Sequence, residues 1–320
     1  MTHSIKHQTA VSVKGITKAF GNFRAVDDLS FDVYEGEVFA ILGPNGAGKS
    51  TTIRMILDIL KPDSGSISVF GAPLNERAKD RIGYLPEERG LYKNAKVIEM
   101  MTYLGALKGM TNAQARAKAL ALLERIGLGE HAKSKVSELS KGMQQKVQFA
   151  VTIIHEPDLM IIDEPFSGLD PVNTLVIKEL LLEMAARGKT VMMSTHQMYQ
   201  VEEMAQRLLM VNQGKQALYG TVGEVRQLYA RHAVIVEGTG DWARLHSVAS
   251  VELHTNGRPG ALLHLKPNLS ANDLLGELAT ATEMHIDRFE RAVPSLNDIF
   301  IQVAGVPGDF DLSGRVLTES

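Results

Sequence analysis

The chain has 320 residues, of which 44% are hydrophobic and 22% charged, and this is enough for two domains with ordinary cores. Its formal net charge of −3 gives no basic surplus, so we do not expect nucleic acid as a partner. The absence of cysteine excludes disulfides and thiolate metal sites, and no apolar run approaches the roughly 18 residues of a membrane-spanning helix. We therefore expect a soluble chain.

The first predicted domain covers residues 1–222. From about residue 10 onward, short apolar runs alternate with helical patterns, which is typical of an α/β domain with a largely parallel sheet. Helical patterns dominate from about 90 to 155 and predict a helical insertion.

A glycine-rich loop at 43–50 lies between a predicted buried strand at 38–42 and a predicted helix from Ser50 to Leu60. It fits the pattern G-x-x-x-x-G-K-[ST] in the strand–loop–helix context that supports this motif. Glycines let backbone N–H groups turn toward a phosphate, and the helix adds its positive N-terminal end. We expect Lys49 to reach the β- and γ-phosphates and Ser50 to ligate Mg²⁺. The sequence thus predicts a nucleoside triphosphate site made by Gly43, Pro44, Asn45, Gly46, Ala47, Gly48, Lys49, Ser50 and Thr51.

The segment from Leu139 to Lys146 begins a predicted helix that continues to Ile154. Ser140 and Gly142 at its start have a plain explanation as helix-capping residues. A helix N-terminus that carries a serine hydroxyl can also act as a second phosphate clamp.

The apolar run from Leu159 to Ile162 ends in two adjacent acids, Asp163 and Glu164. A nucleotide-binding fold places its magnesium-linked carboxylate at such a strand end, so Asp163 is expected to hold Mg²⁺. Glu164 is then placed to orient and deprotonate the attacking water. Two acids after a strand could also cap a turn, but the upstream phosphate loop favours the catalytic interpretation. A further buried strand is predicted at 190–194, ahead of His196.

The second predicted domain covers residues 223–305. Its elements follow the order strand, helix, strand, strand, helix, strand, which favours a small α+β domain of ferredoxin-like topology. Within it a short helix is predicted from Asp241 to His246. We expect a flexible tail at 306–320, where Gly, Asp and Ser are frequent.

Taken in order, the motifs resemble those of the ATP-binding cassette (ABC) ATPases over residues 11–220, with the fold of a P-loop NTPase. They are the phosphate loop 43–50, the signature 139–145, Asp163-Glu164, the segment 167–170 and His196. The resemblance implies that two cassettes hold two ATP molecules head to tail between them. Ser140 and Gly142 would contact the ATP bound by the other cassette, and Asp170 would lie along the dimer interface beside the nucleotide.

The resemblance also assigns roles to His196 and Phe20. His196 would contact the γ-phosphate, the alternative being a merely polar strand end. Phe20 would stack on adenine, an interaction of about 1–3 kcal/mol, the alternative being an ordinary core phenylalanine.

Three positions depart from the family pattern. Lys141 replaces the usual glycine of the signature and Met143 the usual glutamine, which puts the rate of turnover in doubt. Glu87 takes the place of a glutamine that touches Mg²⁺ and couples the cassette to its partner. A carboxylate can still ligate Mg²⁺, and the alternative is that Glu87 is simply solvated.

Residues 83–92 and 294–300 resemble the ABC-2 type export branch, which is often linked to sodium or drug efflux. The implied function is an ATP-hydrolysing subunit that powers export through a separate membrane permease. Such a chain would act as a homodimer, or as a heterodimer with a related cassette, in the cytoplasm at the inner face of the cell membrane. A soluble ABC ATPase without a transport role and an ATP-regulated ligand sensor are the alternatives.

Overall fold

The chain divides into two compact units, residues 1–222 and 223–320. The computed structural model describes residues 8–88, 90–254, 259–281 and 283–304. The tail predicted at 306–320 therefore lies outside the described residues.

Two sheets form the first unit. In chain order its strands are β1 (Thr9–Phe20), β2 (Phe23–Tyr34), β3 (Val38–Leu42), β4 (Ser64–Val69), β5 (Ile82–Leu85), β6 (Leu159–Asp163), β7 (Thr190–Thr195), β8 (Arg207–Asn212) and β9 (Lys215–Thr221). The larger sheet has the order β5-β6-β7-β3-β8-β9, in which the first five strands are parallel and β9 pairs antiparallel with β8. A three-stranded antiparallel sheet, β2-β1-β4, has no counterpart in the sequence prediction.

The predicted apolar runs at 38–42, 159–162 and 190–194 form β3, β6 and β7, and every residue of these strands is buried. Strands covered on both faces require such continuous apolar sequence. The two sheets share one core, in which the rings of Phe31 and Phe39 stack with their centroids 5.6 Å apart.

Seven helices accompany the strands of this unit in the described residues. They are α1 (Lys49–Ile56), α2 (Glu76–Asp80), α3 (Val97–Leu107), α4 (Asn112–Arg125), α5 (Lys141–Ile153), α6 (Pro171–Ala186) and α7 (Met198–Met204). The helical character predicted from about 90 to 155 corresponds to α3, α4 and α5. Asp170 caps α6, and Pro171 occupies its first helical position, where the fixed φ angle of proline suits a helix start.

The second unit contains a four-stranded antiparallel sheet. Its strands are β10 (Ala233–Thr239), β11 (Val248–His254), β12 (Gly260–Leu265) and β13 (His285–Arg291). Helix α8 (Val222–Leu228) precedes β10, α9 (Ala271–Thr280) lies between β12 and β13, and α10 (Leu296–Ala304) follows β13. The strand order β11-β12-β10-β13 is that of a ferredoxin-like sheet. The helix predicted from Asp241 to His246 is only a 3₁₀ turn at Trp242–Arg244, in which Trp242 is buried.

Helix α5 packs closely on β5 at Gly83. A Cβ at this position would lie 2.6 Å from the Thr152 carbonyl oxygen and 2.9 Å from Pro157 Cγ. Since side chains do not approach backbone so closely, this contact requires glycine, and it fixes the distance between the helix and the sheet edge.

We expect the Gly83→Ala variant to have a free energy of unfolding about 1–3 kcal/mol lower than the parent, because the added methyl group overpacks this contact. Strand propensity alone predicts that the variant is more stable than the parent, because glycine weakens a strand. Urea unfolding monitored by circular dichroism measures the difference. Gly90→Ala is the matched control, because a Cβ there meets nothing within 4 Å. Equal stabilities of Gly83→Ala and the parent would contradict the packing argument.

Candidate nucleotide site

The phosphate loop connects the buried strand β3 to α1. Gly43 and Gly48 have φ angles of +155° and +108°, and each approaches another backbone segment. A Cβ on Gly43 would lie 2.3 Å from the Val211 carbonyl oxygen, and one on Gly48 2.4 Å from that of Ala25. Both glycines are therefore required by the path of the chain. Along the rest of the loop, Ala47 is buried, Pro44, Ser50 and Thr51 are partly exposed, and Asn45 and Gly46 are exposed.

Lys49 is buried and lies over this loop. Its Nζ donates hydrogen bonds to the carbonyl oxygens of Gly43 at 2.8 Å and Pro44 at 3.2 Å. The same Nζ lies 3.7 Å from Glu164 Oε1, and both side chains are 7% exposed. The structure thus brings the predicted phosphate-binding cation and the predicted catalytic carboxylate together as a buried ion pair.

Asp163 and Glu164 follow one another at the end of β6. The Ser194 hydroxyl, at the end of the neighbouring strand β7, donates a hydrogen bond to Asp163 Oδ1. The negative charge of Asp163 also reaches Tyr84, whose pKa is raised by burial and further by that charge. Sequence reasoning missed Ser194, although a polar residue at the end of an apolar strand was the available signal.

Glu164 has an uncommon backbone conformation, with a φ angle of +52°. Its N–H donates to the Ser194 carbonyl oxygen at 3.1 Å. His196 Nδ1 lies 3.0 Å from Glu164 Oε1, so the tautomer of His196 that carries its hydrogen on Nδ1 can donate to this oxygen. Among the described residues, the buried Glu164 Oε2 has no hydrogen-bond partner. One carboxylate oxygen is therefore held by its neighbours, while the other can accept a further hydrogen bond.

Glu87 lies at the same sheet edge. Strands β5 and β6 are parallel, and Leu85 pairs with Ile162, so the two strands end side by side. Glu87 comes two residues after β5 and is exposed. Its carboxylate, like that of Asp163 and the Ser50 hydroxyl, is an oxygen donor of the type that a hard divalent cation prefers.

Ser140, Gly142 and Asp170 form a second cluster. Ser140 caps α5 by accepting from the Met143 N–H at 3.3 Å, and Asp170 caps α6 by accepting from the Asn173 N–H at 2.9 Å. A Cβ on Gly142 would lie 3.3 Å from Asn173 Nδ2, so the two helix starts are adjacent. In the described part of the chain, no hydrogen bond or ion pair joins this cluster to Lys49 or Glu164. Ser140 and Asp170 are exposed.

Phe20 ends β1 at a hairpin and is paired with Phe23 across it. Phe20 is 52% exposed, so the alternative of a core phenylalanine is wrong. The Nζ of Lys18 lies 5.9 Å from the centroid of its ring. An exposed aromatic ring beside a cation suits the stacking of a nucleobase.

Comparisons with known proteins agree with this geometry. A family described as ABC transporter matches residues 26–167, and one described as ATP-binding protein DrrA1-3-like, C-terminal domain, matches residues 220–304. The chain is 39% identical over 295 residues to the uncharacterized ABC transporter ATP-binding protein YhaQ of Bacillus subtilis, covering 92% of this chain and 98% of the relative. It is 34% identical over 307 residues to the linearmycin resistance ATP-binding protein LnrL of the same organism, with coverages of 92% and 98%.

A solved structure described as the dimeric post-hydrolysis state of an ATP-binding cassette bound to ADP and Pi is also similar. It shares 26% identity at a TM-score of 0.60 and covers 66% of this chain and 98% of its own. Within the residues that the structure describes, no helix has the length and apolar character needed to cross a bilayer.

We expect Gly48→Ala to weaken ATP binding at least about ten-fold, because the added Cβ collides with the Ala25 carbonyl oxygen and displaces the backbone N–H groups of the loop. Titration with a fluorescent ATP analogue measures the affinity, and circular dichroism verifies folding. Gly276→Ala, in the second unit, is the control, since a Cβ there meets nothing within 4 Å. An affinity within two-fold of the parent would show that the loop does not bind the phosphates.

Proposed function

Because this chain belongs to the ATP-binding proteins of ABC transporters, an ATPase family, we propose that it hydrolyses ATP to power export of a solute through a separate membrane permease. The relative named for linearmycin resistance supports the export direction, since this chain spans 98% of its length and the alignment includes most of the second unit. The chain then acts in the cytoplasm, at the inner face of the membrane that holds the permease.

We propose that the loop from Gly43 to Gly48 binds the phosphates through its backbone N–H groups, with the charge of Lys49 close by. The exposed ring of Phe20 stacks on the adenine. The oxygens of Ser50, Asp163 and Glu87 fit a magnesium ion, which when bound neutralises phosphate charge. These residues bind and orient the nucleotide, and Asp163 is itself oriented by the Ser194 hydroxyl.

The observation that carries the proposal is the buried Glu164 carboxylate with one unpartnered oxygen. Oε1 is engaged by His196 and faces Lys49, so Oε2 is left to accept a hydrogen bond from a water molecule. As that water attacks the γ-phosphorus, its proton passes to Glu164, the bond to the bridging oxygen breaks and ADP is released with phosphate. His196 keeps the carboxylate in place, and Lys49 stabilises the phosphoryl oxygens.

We further propose that two copies of this chain form the working dimer. Each copy contains both the buried Lys49–Glu164 cluster and the Ser140–Gly142–Asp170 cluster, in which Ser140 and Asp170 are exposed and Gly142 is partly exposed. Because the latter cluster is accessible and separate from the former, it is free to complete the site of the second copy.

The permease is proposed to bind a groove of about 350 Å³ between β5, α3 and α5. Ile59 and Leu107 line it and are 63% and 61% exposed, which leaves apolar surface for a partner. His155 and Lys108 form part of its lining. Burial, and after it the charge of Lys108, lower the pKa of His155 to about 4. His155 is therefore neutral at pH 7, and the positive charge of the groove lining comes from Lys79 and Lys108.

Replacing Glu164 by glutamine should lower kcat by about 10²–10⁴-fold, because the amide cannot take the proton. The same variant should form a stable dimer with ATP. Phosphate release and size-exclusion chromatography with and without ATP measure both effects. Glu179→Gln, at an exposed site of α6, is the control. Hydrolysis at the parent rate would show that Glu164 is not the base.

Charged substitutions in the groove, Ile59→Glu and Leu107→Glu, should reduce recovery of a multi-span membrane protein at least about ten-fold when the chain is purified from mildly solubilised native membranes. Mass spectrometry with an isotope-labelled parent sample measures the ratio. Leu120→Glu is the matched control, since Leu120 is an exposed leucine of α4 that is not part of the groove. Unchanged recovery would place the permease elsewhere, and recovery of no membrane protein by the parent would contradict the transport function.

A further inference from the structure

Two of the three glutamines of helix α5, Gln145 and Gln148, are about one turn apart and so lie on one side of the helix. The Gln145 Nε2 donates to the carbonyl oxygen of Pro165 at 3.1 Å. The Gln148 Nε2 donates to the carbonyl oxygen of Glu88 at 3.3 Å. Pro165 directly follows Glu164, and Glu88 directly follows Glu87. The two amides therefore hold the loops that carry the proposed base and a proposed metal ligand.

Glu164 needs such support because its φ angle of +52° lies in the left-handed region. For a residue other than glycine this conformation is strained and persists only where the surroundings impose it. The Ser194 carbonyl fixes the Glu164 N–H, and the Ser167 N–H donates to the Glu164 carbonyl oxygen at 3.2 Å. Proline has no N–H, so the carbonyl of Pro165 is the one backbone group of that residue that can be tethered. Gln145 tethers it.

The position of α5 is itself fixed. Its contact with β5 at Gly83 sets its distance from the sheet edge. The Gln144 amide donates to the carbonyl oxygens of Val136 at 3.2 Å and Leu139 at 2.9 Å, directly ahead of Ser140. Gln148 is buried, so its amide would lose a hydrogen bond if the Glu88 carbonyl moved away.

From these contacts we propose that Gln145 and Gln148 are positioning residues of the hydrolysis reaction, holding Glu164 and Glu87 in register with the Ser140 end of the same helix. The inference rests on the proposed role of Glu164 as the base. Its consequence is that a displacement of α5, produced by binding at its exposed start, is passed to both acidic loops. Binding at Ser140 and the placement of Glu164 are then linked through the same displacement of α5.

The first test compares Gln145→Leu and Gln145→Glu with the parent. Neither side chain can donate from an amide nitrogen, so kcat should fall about ten-fold or more while KM for ATP stays within two-fold, since misplaced catalytic groups affect the chemical step. Gln216→Leu is the matched control, because Gln216 is an exposed glutamine of β9, away from α5. Gln148→Leu should raise the Mg²⁺ concentration for half-maximal activity, measured at fixed ATP, about three-fold or more.

A second measurement separates positioning from folding. In the Glu164→Gln background, adding Gln145→Leu should leave ATP-driven dimerisation and the melting temperature unchanged. Loss of both would show a merely structural role and overturn the proposal, as would a parental kcat in Gln145→Leu or Gln145→Glu. Parental kcat in Glu164→Gln would instead refute the proposed function itself, so the two failures are distinguishable.

Discussion

The ion pair between Lys49 and Glu164 is the interaction on which the site depends. Both groups are buried with 3.7 Å between nitrogen and oxygen, and removing two charges from water is costly unless they neutralise one another. The pair forms because β6, β7 and β3 are adjacent and parallel. Parallel strands gather their carboxyl ends at one edge of a sheet, so residues more than a hundred positions apart in the chain meet there.

The remaining polar groups are arranged around this pair. The carbonyl groups of the loop accept hydrogen bonds from Lys49, and His196 lies within hydrogen-bonding distance of Glu164. Asp163 is held by Ser194 rather than by a cation, which leaves it available to a metal ion. The Ser140 cluster stands apart at the start of two helices. In the described residues the Lys49–Glu164 pair is buried within one copy of the chain, whereas Ser140 and Asp170 are exposed, and this is the arrangement that the proposed dimer needs.

The sequence was informative where a local pattern determines the structure. Strands β3, β6 and β7 were predictable because strands buried on both faces need unbroken apolar runs. The loop at 43–50 was predictable because its own backbone conformation requires its glycines. The antiparallel sheet was missed, since β1 and β2 are long strands with register shifts and partial exposure that blur the alternation. The tethers of Gln145 and Gln148 depend on which loops lie beside α5, and no local pattern encodes that.

The left-handed backbone of Glu164 has a consequence for how this chain tolerates change. Glycine or asparagine would adopt the same conformation at less cost, so the proposed base is not the residue that the backbone prefers. Either substitution would, however, leave the charge of Lys49 buried without its partner, which costs more than the strain that it relieves. Selection for resistance to heat alone would therefore retain glutamate at this position, in spite of its backbone conformation.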